Sequence, residues 1–158
     1  MQILQITDTG KAFQINPGLN DAWYNPDTVG QGFLIMVYPD VMQMFLAWFT
    51  YEIERPDDMV PEMLGEAGHR WLTAQGAFSG NQALLDIYVA RGGVFDISPP
   101  IPQQEQDGTM LIEFTGCDKG TVSYEIPSIN RSGVVPIQRL VSDNLALCEA
   151  LNGESDDK

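Results

Sequence analysis

The chain has 158 residues, 44% of them hydrophobic, the size and apolar content of one ordinary domain able to bury its own core. Its 22 acidic side chains against 8 basic ones give a formal charge of −14, so its field repels phosphate backbones and anionic headgroups and speaks against nucleic acid and membrane surfaces as partners. Pro39-Asp40 interrupts the longest apolar stretch, which leaves no run of the roughly 18 residues that a spanning helix needs and so no membrane insertion.

From the N-terminus, Met1–Asp8 shows neither a cationic region nor a long apolar one, so no export signal is visible; the expectation is a cytoplasmic chain or a trimmed, mature one. The first strand candidate is Lys11–Ile15, closed by the Asn16-Pro17-Gly18 turn, and the second is Ala22–Asn25, stopped by Pro26-Asp27. Gly32–Tyr38 and Met42–Glu52 follow, joined at Pro39-Asp40. Both are apolar on both faces: Phe33, Ile35 and Val37 share one side, while Leu34, Met36 and Tyr38 share the other. An antiparallel strand with one wet face would alternate, so these two lie under a flanking segment or meet another subunit.

Between residues 56 and 66 acidic residues surround Met59, Val60, Met63 and Leu64. With Pro56 at a first turn this predicts a short amphipathic helical insertion, bent by Pro61. Strands are then expected at Arg70–Gln75, Ala83–Ala90, Thr109–Phe114, Thr121–Ile126 and Val134–Leu140. Ser98–Asp107 reads as a loop, because its prolines remove donors and the rest is polar. Ser142 caps a last helix carrying Leu145, Cys148 and Leu151, before a disordered acidic end at 153–158. About eight short strands joined by tight turns, without βαβ spacing, predict an all-β fold: one antiparallel up-and-down barrel over residues 1–158, its core at about 11–148, with a β-sandwich as the alternative.

Chemistry is harder to place. A single histidine, His69, excludes a metal site built on several histidines, and nothing sets a nucleophile beside it. Asp86, Glu113 and Glu125 lie within strands, where two of them facing one another would suit glycan or ester hydrolysis. Asp96, Asp107 and Asp118 sit in turns without a calcium-loop pattern, and no metal or other cofactor is expected. The aromatic strand residues form the most suggestive set. Trp23, Tyr24, Trp48, Tyr51, Trp71 and Tyr88, with Asn25 beside them, would supply the apolar walls and fixed polar groups of a small-molecule or glycan pocket, although core packing asks for the same residue types. Cys117 and Cys148 either bridge, pinning the terminal helix to the barrel, or remain as two small buried thiols.

Trp23-Tyr-Asn-Pro26, Gly30-Gln-Gly-Phe33, Ala47-Trp-Phe-Thr-Tyr51, Gly92-Gly-Val-Phe95 and Phe114-Thr-Gly-Cys-Asp-Lys-Gly120, in that order, resemble an uncharacterised bacterial β-rich domain that occurs alone, in tandem or appended to exported hydrolases. The resemblance spans about residues 16–148. It implies an extracytoplasmic location, periplasmic or secreted, and the pairing of Cys117 with Cys148, and it carries no activity across. Trp23-Tyr-Asn25 is also similar to the first strand of avidin-like biotin-binding barrels; Pro26-Asp-Thr-Val then departs from that pattern, so the similarity implies a barrel shape and not biotin binding.

The functional expectation is a non-enzymatic ligand-binding or interaction module. The alternatives are a carboxylate-dependent hydrolase and a structural homodimer joined through the Phe33–Tyr51 strands.

Overall fold

A computed structural model describes residues 12–57, 64–65 and 67–153. Eight strands run β1 Asp21–Tyr24, β2 Gly32–Tyr38, β3 Gln43–Tyr51, β4 His69–Ser79, β5 Gln82–Arg91, β6 Gln103–Phe114, β7 Lys119–Ile126 and β8 Arg131–Arg139, followed by helix α1, Leu145–Gly153. Each strand pairs antiparallel with the next, and β1 closes onto β8 through Trp23 opposite Arg139 and Tyr24 opposite Gln138. The result is a closed up-and-down barrel, not a sandwich.

Alternation along each strand decides what fills it. Phe33, Ile35 and Val37 of β2, Met44, Leu46 and Trp48 of β3, Leu85 and Ile87 of β5, and Met110, Ile112 and Phe114 of β6 are buried on the inner face. The second apolar side of β2 and β3 points outward and lies exposed, with Leu34, Met36, Tyr38 and Phe49 in the open. No flanking segment among the described residues covers it.

One end of the barrel is sealed. A 3₁₀ turn at Pro17–Leu19 and α1 lie across it, and the disulfide between Cys117 and Cys148, with Cα atoms 5.8 Å apart, ties α1 to the β6–β7 turn. Asn16 locks the turn: its Oδ1 accepts from the Gly18 amide at 2.9 Å, and its Nδ2 donates to the Cys148 carbonyl at 3.3 Å. Gly18 is required because a Cβ there would lie 2.4 Å from the Cys148 Cα. Below this plug, Arg139 is buried with Asp21, to which it donates at 2.8 Å. It also bonds the carbonyls of Cys117 and Gly18, and its guanidinium lies 4.8 Å from the Trp23 ring centroid.

Three expectations change. Over Ala12–Ile15 no strand forms; the Ile15 amide makes a single bond to the Gly80 carbonyl at 2.8 Å and the segment packs beside the plug. β6 begins at Gln103, inside the stretch read as a loop, and a bulge at Asp107-Gly108 restores its register against β5. β4 runs through to Ser79. The helical insertion expected at 56–66 falls mostly outside the described residues, as do residues 154–158 of the expected acidic end.

Candidate functional site

Among the described residues the opposite end is open. The ends of β1, β3, β5 and β7 and the starts of β2, β4, β6 and β8 surround a cavity of about 790 Å³, within the size range of small-molecule sites. Its floor is a row of rings from three strands. Phe33 and Trp48 are cross-strand partners on β2 and β3, stacked with centroids 5.3 Å apart; Trp48 in turn meets Tyr124 of β7 at 5.1 Å, tilted by 60°. Leu72 and Val135 complete the apolar lower wall.

Above the rings the inward positions turn polar. Thr50 donates to the Gln31 Oε1 at 2.7 Å, bridging β3 to the β1–β2 loop. Arg70 lies opposite Thr50 in the ladder and pairs with Glu52 at 2.5 Å, while its Nη1 donates to the carbonyls of Ala67 at 2.8 Å and His69 at 2.6 Å. Asp107, at the β6 bulge, accepts from the amide of Ser128 at 3.1 Å and from its hydroxyl. Gly108 makes this bulge possible: its φ is +94°, and a Cβ would strike the Glu125 carbonyl. Arg91 and Arg131 occupy inward positions at the ends of β5 and β8, where they line the same cavity. The mouth is thus apolar below and hydrogen-bonding above.

The aromatic residues singled out from sequence separate into three places. Trp48 lines the cavity and is 8% exposed. Asn25 lines it too, its Oδ1 accepting from the Asp27 amide at 3.0 Å to cap the turn at Pro26–Thr28. Trp23 lies in the sealed half, 1% exposed, edge-on to Phe114 and donating from Nε1 to the Leu19 carbonyl at 3.0 Å. Tyr24 is on the outer face, where its hydroxyl receives a bond from Gln138 at 3.4 Å. Tyr51 and Trp71 stand at outward positions of their strands, 40% and 55% exposed, and line the same cavity at its rim, while Tyr88 is half-buried on the outer face of β5 and outside the lining.

The strand carboxylates Asp86, Glu113 and Glu125 all occupy outward positions, alternating with buried Ile87, Phe114 and Ile126; Glu113 accepts from Gln82 at 2.5 Å. Among the described residues no three His, Cys, Asp or Glu side chains gather as metal ligands.

Phe33, Tyr124, Leu72 and the arginines of the mouth were not legible as site residues from composition. Strand alternation carried the signal for Tyr124, which shares its face with Val122 and Ile126, but the position of the open end became visible only once the barrel closed. No family model, curated protein or solved structure matches this chain.

Proposed function

We propose that the barrel is a non-enzymatic binding module that takes a small organic molecule into its open end, and that it works outside the cytoplasm. The observation that carries this reading is the asymmetry of the two ends. One is plugged by a disulfide-tied helix and a buried ion pair, while the other leaves a concave, ring-floored cavity of about 790 Å³. The outward placement of Asp86, Glu113 and Glu125 favours binding over hydrolysis by those groups. The bridge favours an oxidising compartment, and among the described residues no helix is long and apolar enough to cross a membrane. Native mass spectrometry of protein purified from its own host tests the reading. A retained small molecule that disappears in a Val135→Trp variant supports it; a clean apo mass, with no apolar compound binding on titration, sinks it.

The exposed outer face of β2 and β3 favours a second activity beside the first, self-association. Leu34, Met36, Tyr38, Phe45, Ala47 and Phe49 alternate outward without one charged residue in a chain of net charge −14, so this is the face on which two copies meet with least repulsion. Light scattering at two concentrations should show a dimer that Phe49→Lys converts to monomer. A monomer at both concentrations refutes it.

A further inference from the structure

We infer that the ligand is an organic anion, with an apolar, ring-containing body seated on Phe33, Trp48 and Tyr124 and a single carboxylate, sulfonate or similar group held at the mouth by Arg91 and Arg131; this rests on the pocket reading above and names the class of molecule that fills it.

Positive charge gathers at this mouth. The chain carries five arginines, Arg55, Arg70, Arg91, Arg131 and Arg139, and three of them line this one cavity. Across the whole chain acids outnumber bases 22 to 8, whereas among the described residues the cavity lining carries three arginines against two carboxylates, Glu52 and Asp107, with Glu105 opposite Val89 in the ladder beside it. The described lining is therefore net positive in an acidic chain.

Strand alternation shows that the three arginines are not rim decoration. Arg70 stands two residues before inward Leu72, Arg91 two after inward Val89, and Arg131 four before inward Val135, so each occupies an inner-facing position of its own strand. A guanidinium in such a place needs a counter-charge or water. Arg70 has one, since Glu52 takes its Nε at 2.5 Å. The other mouth carboxylate, Asp107, is turned to Ser128. Among the described residues the side chains of Arg91 and Arg131 have no hydrogen-bond or ion-pair partner, and they sit on strands three places apart around the wall, β5 and β8. Two unneutralised forks above an apolar floor match a molecule that is greasy at one end and anionic at the other, because planar guanidinium groups hold oxyanions through paired bonds. A cation or a neutral hydrocarbon leaves both forks unused.

A pair of dyes with one ring system tests this: anilinonaphthalene sulfonate and its uncharged parent phenylnaphthylamine, titrated by fluorescence into the wild-type chain, Arg91→Gln/Arg131→Gln and a cavity-filling variant. The filling variant is Val135→Trp, or Leu72→Trp if the first does not fold. The wild type should bind the sulfonate about tenfold or more tightly than the neutral dye, the scale of one charge-assisted hydrogen bond. The double arginine variant should bring the two dyes to within about twofold of each other, by weakening only the sulfonate, while the filling variant should weaken both. Equal binding of both dyes to the wild type, or a sulfonate preference that survives the loss of both arginines, overturns the anion inference and leaves the pocket reading standing. Binding that the filling variant leaves unchanged, or no binding of either dye, removes the pocket reading and the anion inference together.

Discussion

Trp48 and Trp71 sit on neighbouring strands one rung apart, Trp48 opposite Leu72 and Phe49 opposite Trp71, yet one indole is buried over the cavity floor and the other is 55% exposed on the outer wall. Residues that look alike in composition therefore do opposite work. Trp48→Ala should weaken binding of an apolar probe by about tenfold or more, as the loss of a buried aromatic anchor does, whereas Trp71→Ala should change it by less than about twofold; a fluorescence titration of both variants decides it. Arg139 makes a different kind of point. Its side chain and that of Asp21 are only 4% and 8% exposed, so removing the cation strands a buried carboxylate. Arg139→Met is expected to cost about 3–5 kcal/mol in denaturant unfolding. A cost below about 1 kcal/mol would mean that the pair is hydrated and that the sealed end is looser than described.

The elements divide into those that build the wall and those that close it. α1 packs Cys148 and Leu145 against the core and is tied there by the bridge, which closes a 31-residue separation. Reduction, or Cys148→Ser, should therefore lower stability by about 3–4 kcal/mol in the loop-entropy view. Unfolding curves with and without reductant measure it, and coincident curves would contradict the assignment of the helix as a tied plug. β6 depends on its bulge. Gly108→Ala sets a Cβ into the Glu125 carbonyl at a φ of +94°, so it is expected to cost more than the roughly 1 kcal/mol that a tolerated glycine replacement changes. The strands themselves were largely readable. β2, β3, β5 and β7 begin and end within a residue or two of the turns marked by Gly, Pro, Asn and Asp. β4 and β6 extend past the expected strands at opposite ends of the barrel. β4 continues beyond Gln75 through Gly76, which reads as a strand end but stands where the Leu84 carbonyl leaves no room for a Cβ, whereas β6 starts earlier, at the open end, where polar residues replace the apolar alternation that announces a strand. Arg91 and Arg131 fall just outside the expected strands Ala83–Ala90 and Val134–Leu140, and closure of the barrel places them around one mouth.

At the scale of the whole molecule, a net charge of −14 on a chain of 158 residues is a standing repulsion that the fold must overcome. Added salt should raise the melting temperature by screening it, and a fall in melting temperature with salt would show that local ion pairs such as Arg139–Asp21 outweigh the global field. Pooling Trp23, Tyr24, Trp48, Tyr51, Trp71 and Tyr88 into one surface was beyond sequence for a geometric reason: an odd spacing, such as the one from Trp48 to Tyr51, sends two side chains of a regular strand to opposite faces. Among the described residues a closed barrel with one end sealed and one end open leaves one inner surface that water reaches, which is where recognition belongs. NMR shift mapping on the oxidised chain, titrated with anilinonaphthalene sulfonate, tests that most directly. The account predicts changes centred on the Trp48 indole, Tyr124, Leu72 and the Arg91 and Arg131 side chains, with the plug around Trp23 and Cys148 unmoved. Changes confined to the outer face at Leu34, Phe49 and Trp71, or no changes at all, would contradict it.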